Sequence, residues 1–291
     1  MNPILLAMTL FVPHEYKMLN SFNQSFYSEN EYRKYIDWYN HVTDAVFYSI
    51  DYMSEEYIIK GIIGKPKKVK SKLPIIVYLR GGSEDTGKIT VQTLKDKFYF
   101  WIKQGYIVIA SQYRGVDGGE GKDELGGADL VDVLNLFKLV EELSYADTNS
   151  IYLIGHSRGG MMALMALREQ VPVKAAALTA PITDYFSFEK QRPDLNALLN
   201  NIIPNMPENK KVAYTRRSAT CWADAISVPL IIMHGDADTT CDLSQSTLLV
   251  DALSKSKKIY EFVIYPGGNH SLTNFRHDIN KQIYKWFITH S

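Results

Sequence analysis

The chain has 291 residues, with 32 basic side chains against 32 acidic ones and a formal net charge of zero. That balance lacks the basic excess by which nucleic acids and anionic membrane surfaces are bound, so neither is expected as a partner. Two cysteines, Cys221 and Cys241, give neither a disulfide framework nor a zinc spacing. Reduced thiols in a cytoplasmic protein are the expectation.

Residues 3–12 are apolar but lack the basic start and small-residue cleavage site of a signal peptide, so they are expected to be buried. Tyr32, Tyr35, Ile36 and Tyr39 recur at helical spacing and predict a helix from about residue 31 to 41. Val46, Tyr48, Ile50 and Tyr52 alternate, and a second apolar run covers 56–63. The pair is expected to form an antiparallel hairpin at a sheet edge. Residues 1–44 read as an accessory segment ahead of a catalytic domain over 45–291.

The run 73–79 is short and continuously apolar, as suits a strand buried on both faces. It ends in Arg80-Gly81-Gly82-Ser83, where two glycines let backbone N–H groups approach a ligand. A helix over 91–103 and a strand over 106–110 follow, then a glycine-rich acidic loop over 116–127. Leu130, Val133, Leu134, Phe137 and Val140 mark an amphipathic helix.

Residues 151–154 form a strand that runs into Gly155-His156-Ser157-Arg158-Gly159, and a helical run over 161–169 begins at once. Strand, sharp turn and helix push the serine hydroxyl clear of the sheet, beside a helix N-terminus whose N–H groups can stabilise an oxyanion. After a strand over 173–178 the rhythm lapses. Residues 182–223 are too long for an ordinary connection and predict a helical insert, a lid over the site. Strands over 228–234 and 259–265 then alternate with helices over 242–254 and 275–288. Asp242 and Gln245 have the spacing of a capping box at the first of these helices.

The alternation predicts an α/β fold with a mainly parallel sheet and helices on both faces. Three groups then lie at strand ends in the order Ser157, an aspartate within 236–238, and His270. A serine hydroxyl needs a base, imidazole is that base near neutral pH, and a carboxylate fixes its tautomer. Asp236 and Asp238 are equally placed by this argument.

Gly155-His156-Ser157-Arg158-Gly159-Gly160, His234-Gly235-Asp236-Ala237-Asp238 and Gly268-Asn269-His270 resemble the α/β-hydrolase superfamily. Tyr113-Arg114-Gly115, Gly118-Gly119 and the stretch 126–132 make the catalytic domain of the prolyl oligopeptidase (S9) family the best match, over about residues 45–291. The resemblance implies that the acid is Asp238, the last residue of His-Gly-x-x-Asp. The family's usual His-Gly-Gly-Pro or Tyr-x-Gly-Pro is replaced here by Arg80-Gly81-Gly82-Ser83. The second oxyanion donor is therefore expected to be the N–H of Gly82, beside that of Arg158. The family's β-propeller is not expected ahead of this domain. The expected function is a serine hydrolase that cleaves an ester or amide through an acyl-enzyme, with no metal or organic cofactor. An aminopeptidase or oligopeptidase acting on short peptides is the alternative within the class. A non-catalytic binding protein of the same fold is the alternative outside it.

Overall fold

Alternate residues of the central strands face opposite layers of core. In β4 (Leu73–Leu79), Ile75, Val77 and Leu79 enter one apolar cluster, while Ile76 and Tyr78 enter the other. A strand buried on both faces must read as a continuous apolar run, and this one does. Each large side chain so buried contributes about 1.5–3 kcal/mol. The computed structural model describes residues 3–11 and 29–291.

One nine-stranded sheet carries the fold, in the order β1-β2-β3-β5-β4-β6-β7-β8-β9. The first three strands are β1 (Leu5–Leu10), β2 (Ala45–Ser54) and β3 (Tyr57–Pro66), joined antiparallel to each other and to β5 (Ile107–Ser111). From β5 onward all pairing is parallel, through β4, β6 (Ala146–His156), β7 (Ala175–Thr179), β8 (Leu230–Gly235) and β9 (Tyr260–Tyr265).

One face of the sheet is covered by α1 (Glu29–His41), by the helical stretch 91–103 and by α10 (Arg276–Thr289). The middle stretch is α-helical at α2 (Val91–Thr93) and α3 (Tyr99–Lys103), with a π turn at Leu94–Phe98 between them. The other face holds α4 (Leu130–Glu142), α5 (Arg158–Arg168) and α9 (Ser244–Lys255). The region 182–223 is a helical insert, built from α6 (Tyr185–Gln191), α7 (Asn196–Ile202), α8 (Lys210–Arg217) and short 3-10 turns. It packs onto the same core as α5.

Two expectations for the N-terminal region need correction. Of the described part of the 3–12 run Phe11 is buried, but residues 5–10 are not: they form the sheet's outer strand, and Leu6, Met8 and Leu10 are exposed. An apolar sequence settles into β geometry without guaranteeing burial. Consequently β1, and not the β2–β3 hairpin, is the sheet edge. The tyrosine-rich stretch before α1 lies outside the described residues up to residue 28. The described parts of 1–44 are built into the main fold, β1 through the sheet and α1 through Tyr35, Ile36 and Trp38 packed on the core. Among the described residues no helix is long and apolar enough to cross a membrane.

Candidate active site

β6 ends at His156 and α5 starts at Arg158, so the chain reverses at Ser157 alone. That residue has φ 56° and ψ −123°, which a residue bearing Cβ adopts only under strain. The strain is held in place by its backbone. Ser157 N–H donates to the Thr179 carbonyl at 2.9 Å, and its own carbonyl accepts from Gly160 N–H at 2.8 Å and Ile182 N–H at 3.3 Å. Gly159 has no substitute here, because a Cβ would overlap the Leu79 carbonyl oxygen.

The loops after β8 and β9 bring the other two groups together. His270 Nδ1 lies 2.7 Å from Asp238 Oδ2. The second carboxylate oxygen accepts the N–H groups of Thr240 at 2.8 Å and Cys241 at 2.9 Å. A second imidazole serves the same acid: His234 Nε2 stands 3.2 Å from Asp238 Oδ2 and 2.8 Å from the Cys241 carbonyl. Facing two oxygen acceptors, that nitrogen carries the hydrogen. Burial works against the Asp238 charge, but the His234 and His270 hydrogen bonds, the His270 charge and the Cys241 N–H outweigh it. Its carboxyl is held well below the usual carboxylate range. Asp236 is exposed and accepts Gly267 N–H at 2.6 Å. Of the two aspartates, Asp238 is the one on His270.

The His270 ring lies 4.9 Å from that of His156, which sets it beside the elbow. Ser157 Oγ makes no hydrogen bond among the described residues, and catalytic hydrogen bonds commonly tighten only once substrate is bound. His156 Nδ1 is 3.0 Å from Thr179 Oγ1. Burial, then the nearby His270 and Lys97, depress the His156 imidazole well below the ordinary histidine range, against weaker opposition from Thr179 and Asp238.

The glycine corner after β4 forms the opposite wall. A Cβ on Gly81 would come within 3.0 Å of Ser157 Cβ, so the corner lies directly against the serine. Gly82 has φ 73°, and a Cβ there would overlap the Thr86 carbonyl oxygen. Among the described residues the N–H groups of Gly82 and Arg158 reach no protein acceptor.

Two buried guanidiniums organise this wall, and neither side chain figured in the sequence reading. Arg158 pairs with Asp123 (2.6 and 2.7 Å) and Asp129 (2.5 Å), and its Nη1 donates to the Gly82 carbonyl at 2.9 Å. Burial opposes its charge, but Asp123 and Asp129 more than restore it. Arg80 donates to the carbonyls of Gln112 (2.6 Å), Thr86 (2.9 Å), Glu84 (3.0 Å) and Gly81 (3.1 Å). Burial and the neighbouring Arg158 bring Arg80 down to about 10, which leaves it charged at neutral pH. Both guanidiniums lie over the Tyr113 ring, at 4.7 Å for Arg80 and 4.5 Å for Arg158. A sequence signal did exist for Arg158. It opens a helix whose next nine residues are all uncharged, the mark of a helix buried on all sides, where an arginine is held only if paired.

The insert is fastened to loops on both sides of the site. Arg217 donates to the carbonyls of Leu125 at 2.6 Å and Glu124 at 2.9 Å, and Arg192 donates to that of Thr240 at 3.0 Å. The Gln245 side chain accepts the N–H groups of Thr183 and Asp184, both at 2.9 Å, and donates to Ser187 Oγ at 2.8 Å. The expected capping box is therefore absent: Asp242 accepts Ser244 N–H at 2.9 Å, while Gln245 turns inward. Several buried partners outcompete one exposed helix end.

Among the described residues no group of three or more His, Cys, Asp or Glu side chains is arranged to hold a metal ion. A mainly parallel sheet, a serine at a strand–helix elbow and an Asp–His pair on two later loops define a serine hydrolase of the α/β-hydrolase fold. Residues 92–291 match the family model of the prolyl oligopeptidase family, and the chain belongs to that family. It is 26% identical over 224 residues to the uncharacterized peptidase YtmA of Bacillus subtilis, covering 77% of this chain and 85% of that one. The acylaminoacyl peptidase of Pyrococcus horikoshii has the same fold, with a TM-score of 0.72 at 21% identity. That alignment covers 87% of this chain but only 43% of the other. Acetyl xylan esterase from Paenibacillus sp. R4 superposes with a TM-score of 0.67 at 16% identity, over 86% of each chain.

Proposed function

We propose that Ser157 is the nucleophile, His270 the base and Asp238 the carboxylate that orients it, in the hydrolysis of an ester or of a short-peptide amide. The observation that carries this reading is the 2.7 Å contact from Asp238 to His270 Nδ1, beside a serine held at φ 56°. A carboxylate on Nδ1 keeps the hydrogen there, so Nε2 has the basic lone pair. Ser157 Oγ attacks the scissile carbonyl carbon while His270 takes its proton. The charge that builds on the carbonyl oxygen is met by the N–H groups of Arg158 and Gly82. Collapse of the tetrahedral intermediate breaks the bond to the leaving alcohol or amine, which receives the proton from His270. Water then attacks the acyl-enzyme by the same route and releases the acid and free Ser157.

Ser157→Ala tests the assignment. Fluorophosphonate labelling should vanish, and kcat on an activated ester should fall on the order of 10⁴-fold or more. Unchanged turnover would remove Ser157 from the reaction. Esters assayed beside aminoacyl anilides decide between the esterase and peptidase forms of the activity.

A further inference from the structure

We propose that Arg80 is the positioning residue of the oxyanion corner: its guanidinium grips the Gly81 carbonyl and so aims the Gly82 N–H at the reacting carbonyl oxygen. This rests on the assignment of Ser157 and Gly82 made above.

Arg80 is only 1% exposed. Burying a guanidinium opposes folding unless its donors are satisfied. Among the described residues no carboxylate lies within ion-pair distance of it, and its hydrogen bonds all go to backbone carbonyls. Gln112 anchors it on the neighbouring strand's loop, while Gly81, Glu84 and Thr86 belong to the turn that forms the wall of the site. The side chain thus acts as a scaffold inside that turn.

Its consequence for Gly82 follows from peptide geometry. The Gly81 carbonyl and the Gly82 N–H belong to one planar unit, which is trans, so the two groups point in opposite directions. A donor 3.1 Å from the Gly81 oxygen fixes that plane from behind and directs the N–H away from Arg80. The clamp matters because two consecutive glycines restrain the plane less than residues bearing Cβ would. The next carbonyl, that of Gly82, is held at 2.9 Å by Arg158, and Glu84 N–H is held at 2.8 Å by Asp123. Both peptide planes of the corner are therefore pinned by charged donors. A cation on the Gly81 oxygen also polarises the peptide and makes the opposed N–H a stronger donor.

The test compares Arg80→Gln and Arg80→Lys with the wild type. The readouts are kcat and KM on an activated ester, and the affinity for an arylboronic acid that mimics the tetrahedral intermediate. Loss of one oxyanion donor costs about 10²–10³ in kcat, so a mis-aimed donor should cost about 10–100-fold. KM should stay within about twofold, and boronate affinity should fall with kcat. Arg80→Lys should lie between, since an ammonium keeps the charge but loses the fork that spans several carbonyls. A folded variant with wild-type kcat and boronate affinity overturns the proposal, as does a loss of kcat without loss of boronate affinity. Should Arg80→Gln not fold, Arg80→Lys decides. In the wild type, the Gly82 amide resonance should shift on boronate binding, and an unmoved resonance also overturns the proposal. Failure of the underlying assignment shows separately, as turnover that survives Ser157→Ala.

Discussion

The wall around Ser157 and the outer strand β1 place their polar groups in opposite surroundings, one buried among charged side chains and the other open to solvent. Among the described residues β1 pairs its backbone with β2, apart from Leu5 N–H on Glu142 Oε2 at 3.0 Å, and Leu6, Met8 and Leu10 are exposed. At the elbow Arg80, Arg158, Asp123 and Asp129 are all buried and joined by hydrogen bonds, with Arg158 Nε left without a partner. Backbone pairing is indifferent to side-chain identity, whereas buried charge is not. Substitutions should therefore separate the two regions by orders of magnitude.

The sharpest separation lies within one loop. Asp238→Asn leaves the imidazole in the wrong tautomer and should lower kcat by about 10⁴-fold. Asp236→Asn, on an exposed turn, should change stability by about 1 kcal/mol and leave the rate nearly intact. Steady-state kinetics on the two variants checks this, and comparable rates would erase the distinction.

Next in size is Arg158→Met. It keeps the backbone N–H but strands Asp123 and Asp129 without their cation, and breaking a buried pair in this way costs about 3–5 kcal/mol. Urea denaturation reads the loss. A change below about 1 kcal/mol would mean that the wall tolerates replacement as β1 does.

A smaller effect is expected from pH. His156 is depressed in the folded state by burial, then by His270 and Lys97, with Asp238 the acidic group opposing them. The unfolded chain therefore takes up a proton on His156 below about pH 6.5 that the folded chain does not. Stability from this residue is complete above that pH and is lost as pH falls, by at most about 1.4 kcal/mol per pH unit. His156→Asn should flatten the dependence between pH 6.5 and 5 by up to one proton. An unchanged slope would place the proton uptake elsewhere.

The smallest effect belongs to β1. Leu10→Lys on an exposed edge should alter stability by no more than about 0.5 kcal/mol. A larger loss in thermal melts would show that the outer strand is anchored through its side chains after all.

The strands were legible because a buried parallel strand is a continuous apolar run, and the 73–79 run matches β4 end to end. Strand order foretold that Ser157, the 236–238 aspartates and His270 lie at one sheet edge, while the choice of Asp238 over Asp236 rested on the family resemblance alone. What eluded the sequence depends on partners distant along the chain. Arg158 and Asp123 are 35 positions apart, and nothing local marks that pair. Gln245 is the opposite case. Its local spacing to Asp242 is that of a helix cap, yet its side chain bonds to residues about 60 positions away. The apolar start of the chain misled because composition reports transfer preference, while position in the sheet decides exposure.

Gln245 has a consequence for exchanging parts between relatives. It sits on α9, a few residues beyond Thr240 and Cys241, whose N–H groups hold Asp238. Its bonds run to Thr183, Asp184, Ser187 and Gln191, the opening stretch of the insert. That stretch is thus a foundation shared with the acid, and the later part of the insert is tied to it through Ser218 and Thr220 and to the loop 124–125 through Arg217. A chimera joined after Gln191 would keep the Gln245 bonds but lose those made by Arg192, Arg217, Ser218 and Thr220. One joined at residue 182 would also break the Gln245 bonds to Thr183, Asp184, Ser187 and Gln191, beside the loop that holds Asp238.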